Sequence, residues 1–295
     1  MNKISLLLVL FCTCIFTSFS SLKASQDSKL NIATFNIRLQ TSVDAGARSW
    51  TNRKQQVAKL IHKYHFDVLG VQEVGNKNQE ADLKKLLPEY NYFGKGRDNQ
   101  AGTEGEQVGI FYNANRFVLK DKGSFFLSET PDNISFGWDA VCRRMCVWAR
   151  LYDVQSQTTF YVFCSHFDHK GVKARVESAK LIINKMKQTV GTLPVFFIGD
   201  LNTSPDTTDM YTILCSGLND SREIAQNKME ESVGTFNGFD VSKKLFPLSE
   251  RIDYIFCNKI NVFTYHVLND KFSTKTYPSD HFAVMIECEL NNKNY

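Results

Sequence analysis

Residues 195–202, Val-Phe-Phe-Ile-Gly-Asp-Leu-Asn, carry the chain through four bulky apolar positions and then stop on a carboxylate and a carboxamide. An apolar run this short, bounded by Pro194 and Gly199, reads as a buried strand. Residues i and i+2 of an extended chain face the same side, so Asp200 and Asn202 are expected to converge on one point past the strand end. Such a pair can hold a nucleophilic water, a metal or a phosphate oxygen. Taken alone, it is equally an Asx-rich turn leaving a strand. The two readings part on whether other strands end the same way.

They do. The strand expected over Leu30–Ile37 ends at Asn36 and Arg38, and Glu73 closes the buried strand Asp67–Gln72. Between them Val57, Leu60, Ile61 and Tyr64 line one face of a helix over Arg48–Tyr64, a βαβ-like start. A short helix over 79–87 stops at Pro88, and Gly94–Gln107 reads as a charged surface loop with Glu106 just before the strand Val108–Tyr112. Phe117–Leu127 continues the β pattern into a Pro- and Gly-containing loop, 128–138. Strands Met145–Val154 and Thr158–Ser165 form a hairpin, the second running into Ser165-His166-Phe167-Asp168-His169. A helix over Val172–Val190 returns the chain to the 195–202 strand, and a further helix starts near Pro205. The polar stretch 219–248 includes a cleft-facing loop, Thr235–Phe239. Asp253 lies on the strand Arg251–Cys257, Val262–Leu268 is another strand, and Asp280-His281 stand before the last, Phe282–Leu290. Helices distributed among partly hairpin-connected strands predict an α/β fold of mixed sheets covered by helices. No repeat or linker interrupts it, so residues 26–295 are expected to form one domain.

Residues 1–25 stand apart. Lys3, the apolar run Ile4–Phe19 and the small residues Ser18, Ser20, Ser21 and Ala24 have the order of a signal peptide, too short for a comfortable membrane span. The protein is therefore expected to be exported, to a periplasmic or extracellular destination, with no transmembrane span in the mature form. Losing Lys3 and Lys23 lowers the formal charge from +4 to about +2, which offers no basic footprint for a long nucleic acid. With 43% hydrophobic and 13% aromatic residues the chain can build a substantial core. Of the cysteines outside the leader, Cys164, Cys257 and Cys288 sit in apolar runs where free thiols are common. Cys142 and Cys146, about 13 Å apart if on one strand, cannot bridge each other. No zinc spacing is present.

Asn36, Glu73, Glu106, His166, Asp200, Asn202, Asp253, Asp280 and His281 form the polar set at these strand ends. A hard divalent cation such as Mg²⁺ takes oxygen ligands and keeps waters, and Glu73, Asn36 and Asp280 fit it. Phosphate-ester hydrolysis also needs a water held in line, donors on the phosphoryl oxygens and help for the leaving oxygen. Two histidines, each with a carboxylate to set its charge, provide donors and a base. There is no nucleophile elbow, P-loop or GxGxxG.

The ordered set Thr34-Phe35-Asn36, Gln72-Glu73, Ser165-His166-Phe167-Asp168, Gly199-Asp200-Leu201-Asn202, Arg251-Ile252-Asp253-Tyr254 and Ser279-Asp280-His281 resembles the exonuclease–endonuclease–phosphatase superfamily, whose fold is that of pancreatic deoxyribonuclease. The resemblance implies a four-layer α/β/β/α sandwich and Mg²⁺- or Mn²⁺-dependent hydrolysis of phosphate esters. It implies that Glu73 and Asn36 hold the metal with Asp280 close by. By the same resemblance Asp200 activates water, Asn202 orients phosphate, His281 pairs with Asp253, and His166 pairs with Glu106. Arg144 and Arg175 become candidate phosphate-binding cations. His166 argues against the abasic-site nucleases, which usually carry Tyr there. The segment from His166 to Arg175 is similar to exported bacterial members, with parts like messenger-RNA deadenylases and sphingomyelinase-like enzymes.

A phosphodiesterase of nuclease type ranks first on these grounds. A phosphomonoesterase or phospholipase C-type enzyme on sugar, inositol or lipid head-group phosphates ranks second, and a non-catalytic binding protein third. The expected partner is a phosphate-ester substrate, with no obligate protein partner evident.

Overall fold

The structure, a computed structural model, describes residues 28–206, 209–229, 234–271 and 276–291. The expected signal segment at 1–25 lies outside them.

Side-chain alternation decides the architecture. Along β1 (Leu30–Asn36), Leu30 and Ile32 enter one apolar cluster, while Ala33 and Phe35 enter another on the opposite face. β7 (Thr158–His166) splits Phe160, Val162 and Cys164 from Tyr161 and Phe163. β8 (Val195–Asp200) splits Phe196 and Ile198 from Val195 and Phe197, and β11 (Asp253–Asn258) splits Ile255 and Cys257 from Tyr254 and Phe256. Strands apolar on both faces must be covered on both. The cluster shared by both sheets is the core between them, and the other two lie beneath helices.

One sheet has the order β10 (Asn227–Met229), β12 (Ile260–Leu268), β13 (Ala283–Leu290), β1, β2 (Val68–Val74), β4 (Gln107–Asn113), β3 (Tyr90–Gly96). The other runs β5 (Phe117–Phe126), β6 (Met145–Asp153), β7, β8, β11, β9 (Asn219–Asp220). Both are mixed: β1 pairs parallel with β2 and β7 parallel with β8, whereas β13 and β11 join antiparallel. Helices α1 (Trp50–Tyr64) and α2 (Asn76–Leu86) cover the first sheet, and α3 (Val172–Thr189) and α4 (Asp209–Cys215) the second. This is the expected four-layer α/β/β/α sandwich.

α1 shows why the layers hold. Trp50, Val57, Ala58, Leu60 and Ile61 recur at helical spacing and are buried, while His65 ends the helix in a left-handed turn at φ 48°. Burying each large apolar side chain contributes roughly 1.5–3 kcal/mol, so packing rather than helix propensity secures this element. Leu60→Ala would remove about 2–5 kcal/mol. The sheets approach closely at Gly70, where an added Cβ would stand 2.5 Å from Ile198 Cδ1 and 3.0 Å from Cys164 Sγ.

Two expectations change. Tyr90–Gly96 is an edge strand, so the loop begins only after Gly96; Phe93 and Gly96 are its buried positions, too sparse a signal against its glycines and charge. The irregular stretch 219–248 contains β9, a single-turn helix α5 (Ser221–Ile224) and β10. Its anchor is Arg251, whose Nη2 lies 2.8 Å from both oxygens of Asp220 in a fully buried pair. Among the described residues no helix is long and apolar enough to cross a membrane. Cys142, Cys146, Cys164, Cys215, Cys257 and Cys288 are free thiols.

Candidate active site

The alternation that sorts the core also places the polar set. On β7 the inward series Phe160, Val162, Cys164 continues to His166, and on β8 Phe196 and Ile198 continue to Asp200. Parallel pairing sets His166 beside Asp200, and antiparallel pairing sets Asp253 on Asp200's other side. In the opposite sheet Leu30, Ile32 and Thr34 lead to Asn36, which pairs with Gln72. Glu73 should then point outward. It does not, because its φ is 57° and the β2–β4 register shifts between Val71 and Val74, an irregularity that re-aims the side chain into the cleft. A left-handed Glu costs about 1–3 kcal/mol, and such strain concentrates at functional sites.

Asn36 ties the two sheet edges together. Its Nδ2 donates to Glu73 Oε1 at 3.0 Å and to Asp200 Oδ2 at 2.9 Å. His166 spans two carboxylates: Nδ1 lies 3.1 Å from Glu106 Oε1, and Nε2 lies 3.0 Å from Asn202 Nδ2 and 3.4 Å from Asp200 Oδ2. His281 Nδ1 lies 2.9 Å from Asp253 Oδ2, while its Nε2 is 3.7 Å from the same Asp200 oxygen. Thr235 Oγ1 donates to Asp253 Oδ2 at 2.6 Å, fixing that carboxylate from behind. Two histidines, each backed by a carboxylate, thus flank Asp200.

The sequence pattern of the Endonuclease/Exonuclease/phosphatase family matches residues 33–281. The chain belongs to this family. A family protein of solved structure from Bacteroides thetaiotaomicron is 38% identical, with a TM-score of 0.83 over 89% of this chain and 98% of its own. The Bacteroides thetaiotaomicron VPI-5482 mannosyl-6-phosphatase is 37% identical, with a TM-score of 0.81 over 88% of this chain and 99% of its own. An uncharacterized protein of Acanthamoeba polyphaga mimivirus is 27% identical over 202 residues, 56% of this chain and 29% of its own length. The chain spans less than two thirds of the length of the curated relatives it matches. Membership places the chain among phosphoesterase-type hydrolases, a family that generally uses a divalent metal.

The family's metal chemistry fits the residues present. Glu73 and Asp280 face one cleft with oxygen donors, the set a hard divalent cation prefers. Burial pushes the Asp280 carboxyl up; His281 opposes this, and the charge of Glu73 adds to it. A cation between these carboxylates would relieve that repulsion. Asp200, Asp253 and His281 also offer ligand atoms within 4.8 Å of one another. His281 is already bound to Asp253 through Nδ1, which suits this group to holding a proton. Burial alone would discharge the ring, yet Asp253 and Asp200 keep it protonated well above the usual histidine range. At Glu106, burial is outweighed by His166, Arg97 and Arg144, which hold the carboxyl down at about 2.

The cleft, about 570 Å³, is lined by Glu73, Glu106, Arg144, His166, Asp200, Asn202, Asp280 and His281, with Asp253 directly behind His281. Asn202 arrives by a different route from the one expected. Its φ is 52°, and its N–H donates to Asp200 Oδ1 at 2.9 Å, so the chain turns rather than staying extended. The candidate pair and the Asx turn are here the same structure.

Two placements bear on the sequence reading. Asn36 is fully buried; its Nδ2 holds Glu73 and Asp200, and its Oδ1 accepts the N–H of Arg38 at 3.0 Å. Arg175 is outside the cleft lining; its Nη1 donates to the carbonyl of Asp168 at 2.9 Å, pinning the turn into α3. Arg38, Arg97 and His169 line the cleft without having been assigned a role. Of these, Arg38 and His169 stood at expected strand ends, Arg38 just past β1 with φ 60°. Arg97 reaches the site through loop geometry, which leaves no periodic signal.

Proposed function

We propose that this protein is a divalent-metal-dependent phosphomonoesterase whose substrate is a small phosphorylated sugar. The carrying observation is the cleft of about 570 Å³, where Arg38 and a protonated His281 stand beside Glu73 and Asp280, the pair suited to a divalent metal. A phosphomonoester carries about −1.5 to −2 charge on three oxygens, which suits this density of cations better than the single charge of a diester. A volume of this size suits a small molecule. Likeness to the mannosyl-6-phosphatase over nearly all of its length supports the same reading. The order of the two esterase readings is thereby reversed from that reached on sequence.

In this reading Asp200 takes a proton from the attacking water as the water oxygen bonds to phosphorus and the bond to the sugar oxygen breaks, that oxygen leaving as a hydroxyl with a proton from solvent. Asn36 and the Asn202 N–H hold Asp200 in place for this. His281, kept cationic by Asp253, donates from Nε2 to the phosphoryl oxygens, and His166, held by Glu106 through Nδ1, stands on the other side with Nε2 towards Asn202 and Asp200. Glu73 and Asp280 would hold Mg²⁺ or Mn²⁺, which when bound neutralises phosphoryl charge and aids the leaving oxygen. The leader at 1–25 supports placing the reaction outside the cytoplasm.

Purified protein with Mg²⁺ or Mn²⁺ is expected to release inorganic phosphate from mannose 6-phosphate, to stop with a chelator and to resume with added metal. Cleavage of bis-p-nitrophenyl phosphate far in excess of any sugar phosphate would overturn the reading in favour of a diesterase. One observation favours that second reading: Phe236, 38% exposed on the cleft rim, presents a face on which a base can stack.

A further inference from the structure

At the Glu106 end of the cleft one carboxylate oxygen serves three nitrogen groups. A single oxygen, Glu106 Oε1, receives Arg97 Nη1 at 2.8 Å, His166 Nδ1 at 3.1 Å and Arg144 Nη1 at 3.4 Å. Arg144 is left with the longest of the three. Asp168 does not make up the difference. Its oxygens accept the main-chain N–H groups of Val141, Cys142, Lys170 and Gly171, and it stands 3.8 Å from Arg144 Nε. That Nε is buried with no hydrogen-bond partner, in a side chain only 5% exposed that lines the cleft. Arg144 Nη2 meets His169 Nδ1 at 3.2 Å, and His169 lines the same wall. A desolvated guanidinium without a full counter-ion is unfavourable unless a ligand completes it.

The location separates this wall from the reacting centre. The ring of His166 turns Nδ1 to Glu106 and Nε2 to Asn202 and Asp200, so Arg144 and His169 lie across that ring from Asp200. We propose that Arg144, Arg97 and His169 form a second anion subsite, so that the preferred sugar phosphate carries a further oxyanion on the part that leaves; this assignment rests on the phosphomonoesterase reading. The planar guanidinium fork matches a phosphate or a carboxylate equally.

The test is kcat/KM with Mg²⁺ for glucose 6-phosphate, glucose 1,6-bisphosphate and 6-phosphogluconate. The wild type should favour at least one of the two doubly anionic substrates by about tenfold or more, the scale of a charge-assisted hydrogen bond. Bisphosphate or phosphogluconate being the better one identifies the second group as phosphate or carboxylate. Arg144→Gln and His169→Gln should each bring the ratio to glucose 6-phosphate towards one. A wild-type ratio of one, or an equal loss on all three substrates in Arg144→Gln, would overturn the subsite, the latter because Arg144 then grips the reacting phosphate. Hydrolysis of none of the three, with bis-p-nitrophenyl phosphate cleaved, would overturn the phosphomonoesterase reading and the subsite with it.

Discussion

Asn36 and Asp200 belong to different sheets and lie 164 positions apart, yet the Asn36 amide donates to the Asp200 carboxylate at 2.9 Å in the buried floor of the cleft. The same nitrogen holds Glu73. One side chain therefore sets the spacing between the proposed water-activating carboxylate and the proposed metal ligand. Asn36→Ala should lower kcat by roughly 10²–10³, the scale of losing one preorganised donor. It should also raise the Mg²⁺ concentration needed for half-maximal activity. A titration that leaves both unchanged would refute the bridging role.

Asp253 acts only through His281, which it contacts from full burial at 2.9 Å. Asp253→Asn keeps the shape and removes the charge. We expect kcat to fall by roughly 10²–10⁴, the contribution of a general acid–base group, with an unchanged circular-dichroism spectrum. A loss of activity explained entirely by loss of fold would count against this.

Glu106 predicts the acid limb of stability. Its carboxyl, held at about 2 by His166, Arg97 and Arg144 against burial, lies below the ordinary value of about 4.3 that the unfolded chain restores. Between those values the unfolded state binds more protons, so stability rises with pH there. The contribution is present in full above about pH 4.3 and is lost as pH falls towards 2. Urea unfolding measured across that window should show a shallower pH slope for Glu106→Gln than for the wild type.

Arg53 on α1 is fully buried with four carbonyls for partners. Its Nη1 bridges Ile37 and Pro278 at 2.8 Å each, Nε reaches Arg48 and Nη2 reaches Arg38. It thus clasps the end of β1 to the segment that bears Asp280 and His281, though burial pulls its own pKa down to about 10. Arg53→Met strands those carbonyls and should destabilise the protein by about 3 kcal/mol or more in chemical denaturation. Arg53→Lys, with fewer and unforked donors, should recover only part of that.

The layers were legible because alternation and helical spacing are local. Phe196/Ile198 against Val195/Phe197 can be read directly off the chain, and so can the helices that must cover the outer face. The same local rule placed Asn36, His166, Asp200 and Asp253 at strand ends, and the ordered motifs told which chemistry those ends serve. What failed was whatever depended on a departure from regular backbone or on contact across the fold. The edge strand Tyr90–Gly96 hid behind its glycines, and Asn202 reached Asp200 by a left-handed turn. The exit of Arg175 from the cleft follows from a carbonyl seven residues back in the chain.

By itself, then, the sequence determined that mixed sheets lie under helices and which side chains gather at the strand ends, since these follow from the pleat's period of two, while the family and its four layers came from the resemblance of the ordered motifs. Only the tertiary structure showed that Asn36 bridges Glu73 and Asp200, because its partners sit on two different sheets. It alone showed Glu73 turned into the cleft by a positive φ. And it alone left Arg144 with a shared, distant carboxylate, because counting the donors on one Glu106 oxygen requires three segments to be in place at once.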